Sequence, residues 1–150
     1  MHPITPYLPS LSSLSSLPSC RFVRAFGLTL ACAALMPLAH AASPAELLAN
    51  YAAQAKTAGV AARGQQFFNS THGKEWRCAS CHGMEPTQTG KHAATGKPIG
   101  ALAPAFNAER FTDAAKTEKW FRRNCNDVAG RECTAAEKAD ILSWLLALKP

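Results

Sequence analysis

The chain has 150 residues, a formal net charge of +6, 47% apolar residues and 8% aromatic residues. That length suits one domain rather than two. The composition excludes a disordered tail, a coiled coil and a collagen.

Residues 1–24 carry no acidic residue and are rich in Ser, Pro and Leu. Arg21 and Arg24 then precede the apolar run Ala25–Leu38, which ends in Ala39-His40-Ala41. A basic n-region, an apolar h-region and an A-x-A site in this order read as a secretory signal peptide. Residues 1–41 are therefore expected to be a leader, cleaved near Ala41, and residues 42–150 the functional domain, exported to the periplasm. Thr29-Leu30-Ala31-Cys32 resembles a lipobox only loosely, with Thr where Leu is usual, so a lipid anchor is the weaker reading. Cleavage removes two of the 16 basic residues and none of the 10 acidic ones, which leaves 109 residues at +4. A charge that mild gives no case for a nucleic-acid partner. The mature part has no stretch approaching the ~20 apolar residues of a membrane span.

Ser43-Pro44-Ala45-Glu46 opens the first expected helix as a capping box with Pro at the first helical position. Leu47, Leu48, Tyr51 and Ala55 follow at helical spacing, and Gly59 ends the segment. A second short helix is expected over Val60–Asn69, with Val60, Gly64, Phe67 and Phe68 on one face. Gly in mid-helix costs roughly 1 kcal/mol against Ala, so Gly64 points to the close approach of another helix. Residues 70–77 read as a polar loop. Residues 83–107, punctuated by Pro86, Gly90, Gly96, Pro98, Gly100 and Pro104, read as an irregular wrap with no strand pattern. Thr112 is expected to cap a helix over Asp113–Cys125. A second capping box, Thr134-Ala135-Ala136-Glu137, opens the last helix, whose Ile141, Leu142, Leu145 and Leu148 line one face with Trp144 beside them. The expectation is a small all-α domain whose loops are long for its size.

Cys78-Ala79-Ser80-Cys81-His82 is the C-x-x-C-H pattern of c-type haem attachment. On one helical turn both sulfurs point the same way and reach the two vinyl groups of one haem, while His82 reaches the iron as proximal ligand. A redox dithiol is the weaker reading, because no βαβ pattern surrounds the pair. Zinc is weaker too: the other two mature cysteines, Cys125 and Cys133, lie more than forty residues away. The only mature methionine, Met84, follows His82 too closely to reach the far haem face. His72, His92, Asn124 or no residue at all are left for the sixth position.

Trp120-Phe121-Arg122-Arg123-Asn124-Cys125, Gly130-Arg131-Glu132-Cys133-Thr134, Glu137-Lys138 and Trp144-Leu145 resemble the SHP (sphaeroides haem protein) family of monohaem cytochromes c, to which cytochrome c double-prime is related. The resemblance covers roughly residues 44–150. It implies a cytochrome c-like all-α fold around one covalently attached haem c. It also implies that Asn124 is the distal ligand of oxidised haem and leaves on reduction, so that a small diatomic such as O2, NO or CO binds. A multihaem or membrane-bound cytochrome is the implied electron donor, and the protein is expected to be a monomer. Cys125 and Cys133 are expected to form a disulfide. Two other readings remain: a haem enzyme acting on NO or oxygen species, and a plain bis-His electron carrier using His72 or His92. Among Arg110, Lys116, Lys119, Arg122 and Arg123, one or two cations are expected to pair with haem propionates and the rest to meet an acidic redox partner. Lys97-Pro98-Ile99-Gly100 is expected to offer a backbone carbonyl to the free nitrogen of His82.

Overall fold

The computed structural model describes residues 42–150. The leader, its cleavage site at Ala41 and Cys32 lie outside the described residues. Five helices and one small hairpin follow in chain order: α1 Pro44–Ala55, α2 Ala61–Asn69, α3 Cys78–His82, β1 Gly90–Lys91, β2 Pro98–Ile99, α4 Ala114–Ala129 and α5 Ala135–Ala147. No helix among the described residues is long and apolar enough to cross a membrane.

Both capping boxes form. The Ser43 N–H donates to Glu46 Oε2 at 2.7 Å, and the Glu46 N–H to Ser43 Oγ at 3.2 Å. Thr134 and Glu137 repeat the exchange at 2.8 and 3.2 Å. Each box satisfies amide donors that a helix start leaves unpaired.

α5 is the centre of the fold, and α1 and α2 both pack closely on it. It is buried on two sides rather than along one stripe. Ile141, Trp144 and Leu145 join Phe68 and Ala79 in one cluster, while Ala139 and Leu142 join Leu47 and Tyr51 in another. Leu148 lies past the helix end, at its C-cap. Gly64 does what its place in mid-helix suggested: a Cβ there would run into the backbone carbonyl of Asp140. A Cβ at Gly59 would come 2.5 Å from the Ala139 carbonyl oxygen. The same crossing is tied by Asp140, which accepts from the Val60 N–H at 2.6 Å and from Arg63 Nε at 2.7 Å.

Three expectations are corrected. Residues 83–107 do contain strands: Gly90 pairs with Ile99 and Lys91 with Pro98, antiparallel. Two-residue strands are too short to show alternation in sequence. The α4 cap is Asp113, whose Oδ1 accepts from the Lys116 N–H at 2.9 Å, while the Thr112 hydroxyl turns back to the Glu109 carbonyl at 3.0 Å. α4 also continues past Cys125 to Ala129 and ends at Gly130, which takes the left-handed conformation at φ 68°.

Candidate haem site

The attachment motif sits on the short helix α3. Ser80 helps to start it: its hydroxyl accepts from the Arg77 N–H at 3.2 Å, and its own N–H donates to the Arg77 carbonyl at 3.0 Å. Gly83 at φ 80° ends it, with its N–H on the Ala79 carbonyl at 2.9 Å. The hairpin packs directly on this turn. Gly90 lies so close to the Cys81 carbonyl that a side chain would collide with it, and the Ala93 N–H donates to Cys81 Sγ at 3.3 Å.

Cys78, Cys81, His82 and Asn124 all line one cavity of about 810 Å³. That volume is in the range of small-molecule and cofactor sites. α3 supplies one wall and α4 another. Along α4 the residues facing the cavity include Thr117, Phe121, Asn124 and Val128, spaced three or four apart as one helical face requires. Phe68, Ile141 and Leu145 add apolar floor from α2 and α5. The Phe68 ring lies 6.0 Å from the His82 ring and 5.0 Å from Trp144.

Burial sets the chemistry of the α3 groups. It pushes the Cys78 thiol up to about 12 and lowers His82 to about 4, the nearby Arg110 charge adding to the second shift. Neutral imidazole is the form that ligates a metal. Two sulfurs and a neutral imidazole on one turn, opening onto an apolar cavity of this size, fit a covalently attached haem. No group of three or more His, Cys, Asp or Glu side chains among the described residues is placed to hold a bare metal ion.

The Asn124 side chain is half-buried and hydrogen-bonds to no described residue. Beside it Cys125 is bonded to Cys133, with their Cα atoms 5.6 Å apart. His72 is elsewhere. It stacks on Phe67 at 3.9 Å, its Nε2 is 2.8 Å from the Phe67 carbonyl oxygen, and it lines a separate open pocket. His72 therefore does not line the cavity of Cys78, Cys81 and His82. His92 reaches the haem cavity, but from the hairpin packed on α3, and its Nδ1 accepts from the Thr95 N–H at 3.2 Å.

Arg110, Lys116 and Arg123 line the cavity, and the Arg123 guanidinium lies 5.7 Å from the Trp120 ring. Arg122 points away to Glu132 at 3.2 Å. Arg110 does more than sequence reasoning assigned to it. Its Nε donates to the Ala101 carbonyl at 2.8 Å and its Nη2 to the Gly100 carbonyl at 2.6 Å, pinning the segment after β2. In the segment Lys97–Gly100, expected to offer a backbone carbonyl to His82, the Gly100 carbonyl accepts from Arg110. A lone Arg in a loop carries no sequence signal for such a clamp, because its acceptors are backbone.

Comparisons with known proteins place the chain among c-type cytochromes. Residues 54–145 match a family described as a domain of unknown function (DUF1924). The chain is 49% identical over 114 residues to cytochrome c-type protein SHP of Cereibacter sphaeroides, covering 73% of this chain and 88% of that one. It is 46% identical over 87 residues to cytochrome c double-prime of Methylophilus methylotrophus, covering 55% of this chain and 60% of that one. Among solved structures, oxidised SHP, described as an oxygen-binding cytochrome c, superposes with a TM-score of 0.67 at 49% identity, over 71% of this chain and 97% of that one. Oxidised cytochrome c double-prime superposes with a TM-score of 0.65 at 38% identity, over 71% and 95%. The chain belongs to the DUF1924 family and to the SHP-type cytochromes c related to cytochrome c double-prime, with their cytochrome c-like helical fold and haem c as cofactor.

Proposed function

We propose that this chain is a periplasmic monohaem cytochrome c that carries electrons and, when reduced, binds a small diatomic gas. Cys78 and Cys81 hold the single haem by thioether bonds, His82 is its proximal ligand, and Asn124 is the distal ligand of the oxidised state. Haem c supplies a one-electron couple and, where its distal position is free, a site for O2, NO or CO. The observation that carries the reading is Asn124: it lines the same cavity as the attachment motif, from a different wall, with no protein partner for its amide.

An amide oxygen is a neutral, hard donor. It suits ferric iron better than ferrous iron, whose lower charge attracts it less. Asn124 therefore leaves on reduction, and its NH₂ is then free to donate a hydrogen bond to whatever enters. Trp120 and Phe121 on the same helix also line the cavity. The oxygen binding described for the SHP relative supports the same reading. The electron donor is a multihaem or membrane-bound cytochrome, and the protein works as a monomer.

The test is the optical and EPR spectrum of the holoprotein, oxidised and dithionite-reduced, with and without CO, for the natural chain and Asn124→Ala. The expected result is CO uptake by the reduced natural protein and a changed ferric spectrum in Asn124→Ala. Low-spin spectra in both states that ignore CO, identical in the two proteins, would overturn the proposal.

A further inference from the structure

α4 carries Asn124, yet it is not among the helix pairs whose backbones pack closely: α1 and α2 both lie against α5, whereas α4 stands across the cavity. Its strongest ties to α5 run through side chains. One is covalent, Cys125 to Cys133 just before α5. The other is an ion pair, Glu118 Oε2 to Lys138 Nζ at 2.7 Å. Glu118 and Cys125 are seven residues apart on α4, so they share one helix face, the one turned to α5. Asn124 lies about 120° around from Glu118, on the face turned to the cavity, by the 100° step of an α-helix.

The Lys138 side chain is only 12% exposed. Its Nζ lies 5.5 Å from the Tyr51 ring centroid and 5.9 Å from that of Phe121. A charge this enclosed needs its partner, and the enclosure makes the pair directional. Phe121 is both one side of this clasp and part of the cavity wall, one turn before Asn124.

Phe121 packs on both core clusters and Thr117 and Val128 are buried, so α4 is also held by non-directional apolar contact, and the ion pair adds a directional tie on the Cys125 face. We infer that the Glu118–Lys138 pair, clasped between Tyr51 and Phe121, is the second tie that fixes α4 against α5 and so sets how well Asn124 holds its place over the haem. Glu118 and Lys138 are positioning residues acting through Asn124. The inference rests on the reading of Asn124 as distal ligand.

The test is a double-mutant cycle read by azide binding to the ferric holoprotein. Azide competes with Asn124 for the iron, so weaker Asn124 binding appears as tighter azide binding. Lys138→Met keeps the apolar stem and removes the charge. It is expected to tighten azide binding by roughly three- to tenfold, with Lys138→Arg restoring most of the natural value and Glu118→Gln acting like Lys138→Met. In the Asn124→Ala background, Lys138→Met is expected to change nothing. An unchanged azide affinity in both Lys138→Met and Glu118→Gln would overturn the inference, whatever happens to the melting temperature. An equal tightening with and without Asn124 would overturn it as well. If Asn124→Ala alone leaves azide affinity unchanged, the distal-ligand reading fails, and the inference fails with it.

Discussion

Gly64→Ala sets helix propensity directly against packing. Ala is worth roughly 1 kcal/mol more than Gly in a helix interior, so propensity alone makes the variant more stable. The structure gives the opposite sign. The new Cβ would meet the Asp140 carbonyl and would sit 2.7 Å from Ile141 N, where ordinary contact starts at 3.4 Å. Both obstacles are backbone, and both belong to α5, the helix at the centre of the core. No side-chain rotation relieves them, so α2 has to move off α5. Overpacking of this kind costs typically 1–3 kcal/mol, and rigid obstacles belong at the top of that range. The net effect, after the propensity gain, is a loss of about 2 kcal/mol, or roughly 10 °C in Tm for a domain of this size. Phe68 lies one turn on from Gly64 and leans on His82, so the shift also reaches the haem wall. The assay is guanidinium unfolding of the oxidised holoprotein, followed by its visible spectrum. A variant as stable as the natural protein, or more stable, would refute the packing argument.

Two other perturbations have definite signs. Replacing Cys125 and Cys133 together with Ser opens a nine-residue loop and is expected to cost about 2.5 kcal/mol, seen as a lower guanidinium midpoint than that of the natural oxidised protein. Glu137 is held below the ordinary carboxylate value of 4.5, first by its hydrogen bond to Arg131, which outweighs the upward push of burial, with the Thr134 N–H adding to the lowering. The folded chain therefore binds this proton less readily than the unfolded one. Its contribution is present above that ordinary value and is lost as the pH falls through the lower, folded one. The measurement is Tm against pH from 6 down to 3, where Glu137→Gln is expected to fall less steeply than the natural protein.

The sequence was most legible where a local rule acts alone. Ser43 with Glu46, and Thr134 with Glu137, place two helix starts, because a capping box is complete within four residues. The C-x-x-C-H motif places the attachment turn for the same reason. Legibility fell where neighbours compete. Thr112 and Asp113 are both good cap residues, and the choice between them depends on the turn before them, where Phe111 takes φ 60°. The expected end of α4 at Cys125 falls short because the helix runs on until Gly130 adopts a left-handed C-cap. The hairpin escaped notice because its register comes from docking on Cys81 and His82, not from alternation in the strands. The Arg110 clamp and the Glu118–Lys138 tie are tertiary, and no spacing in the chain announces either.

The arrangement of ties has its own logic. α1 and α5 bury Leu47, Tyr51, Ala139 and Leu142 in one cluster, and none of these four lines the haem cavity. The proposed covalent attachment at α3 would relieve α4 of the task of retaining the cofactor. A wall that need not hold the cofactor can be held by few contacts, and regions held by few contacts open at the lowest free-energy cost. The distal residue sits on that wall rather than on the scaffold. Under the proposed reading an incoming gas would replace Asn124 on α4, while His82 sits on a turn braced by the hairpin and by Phe68.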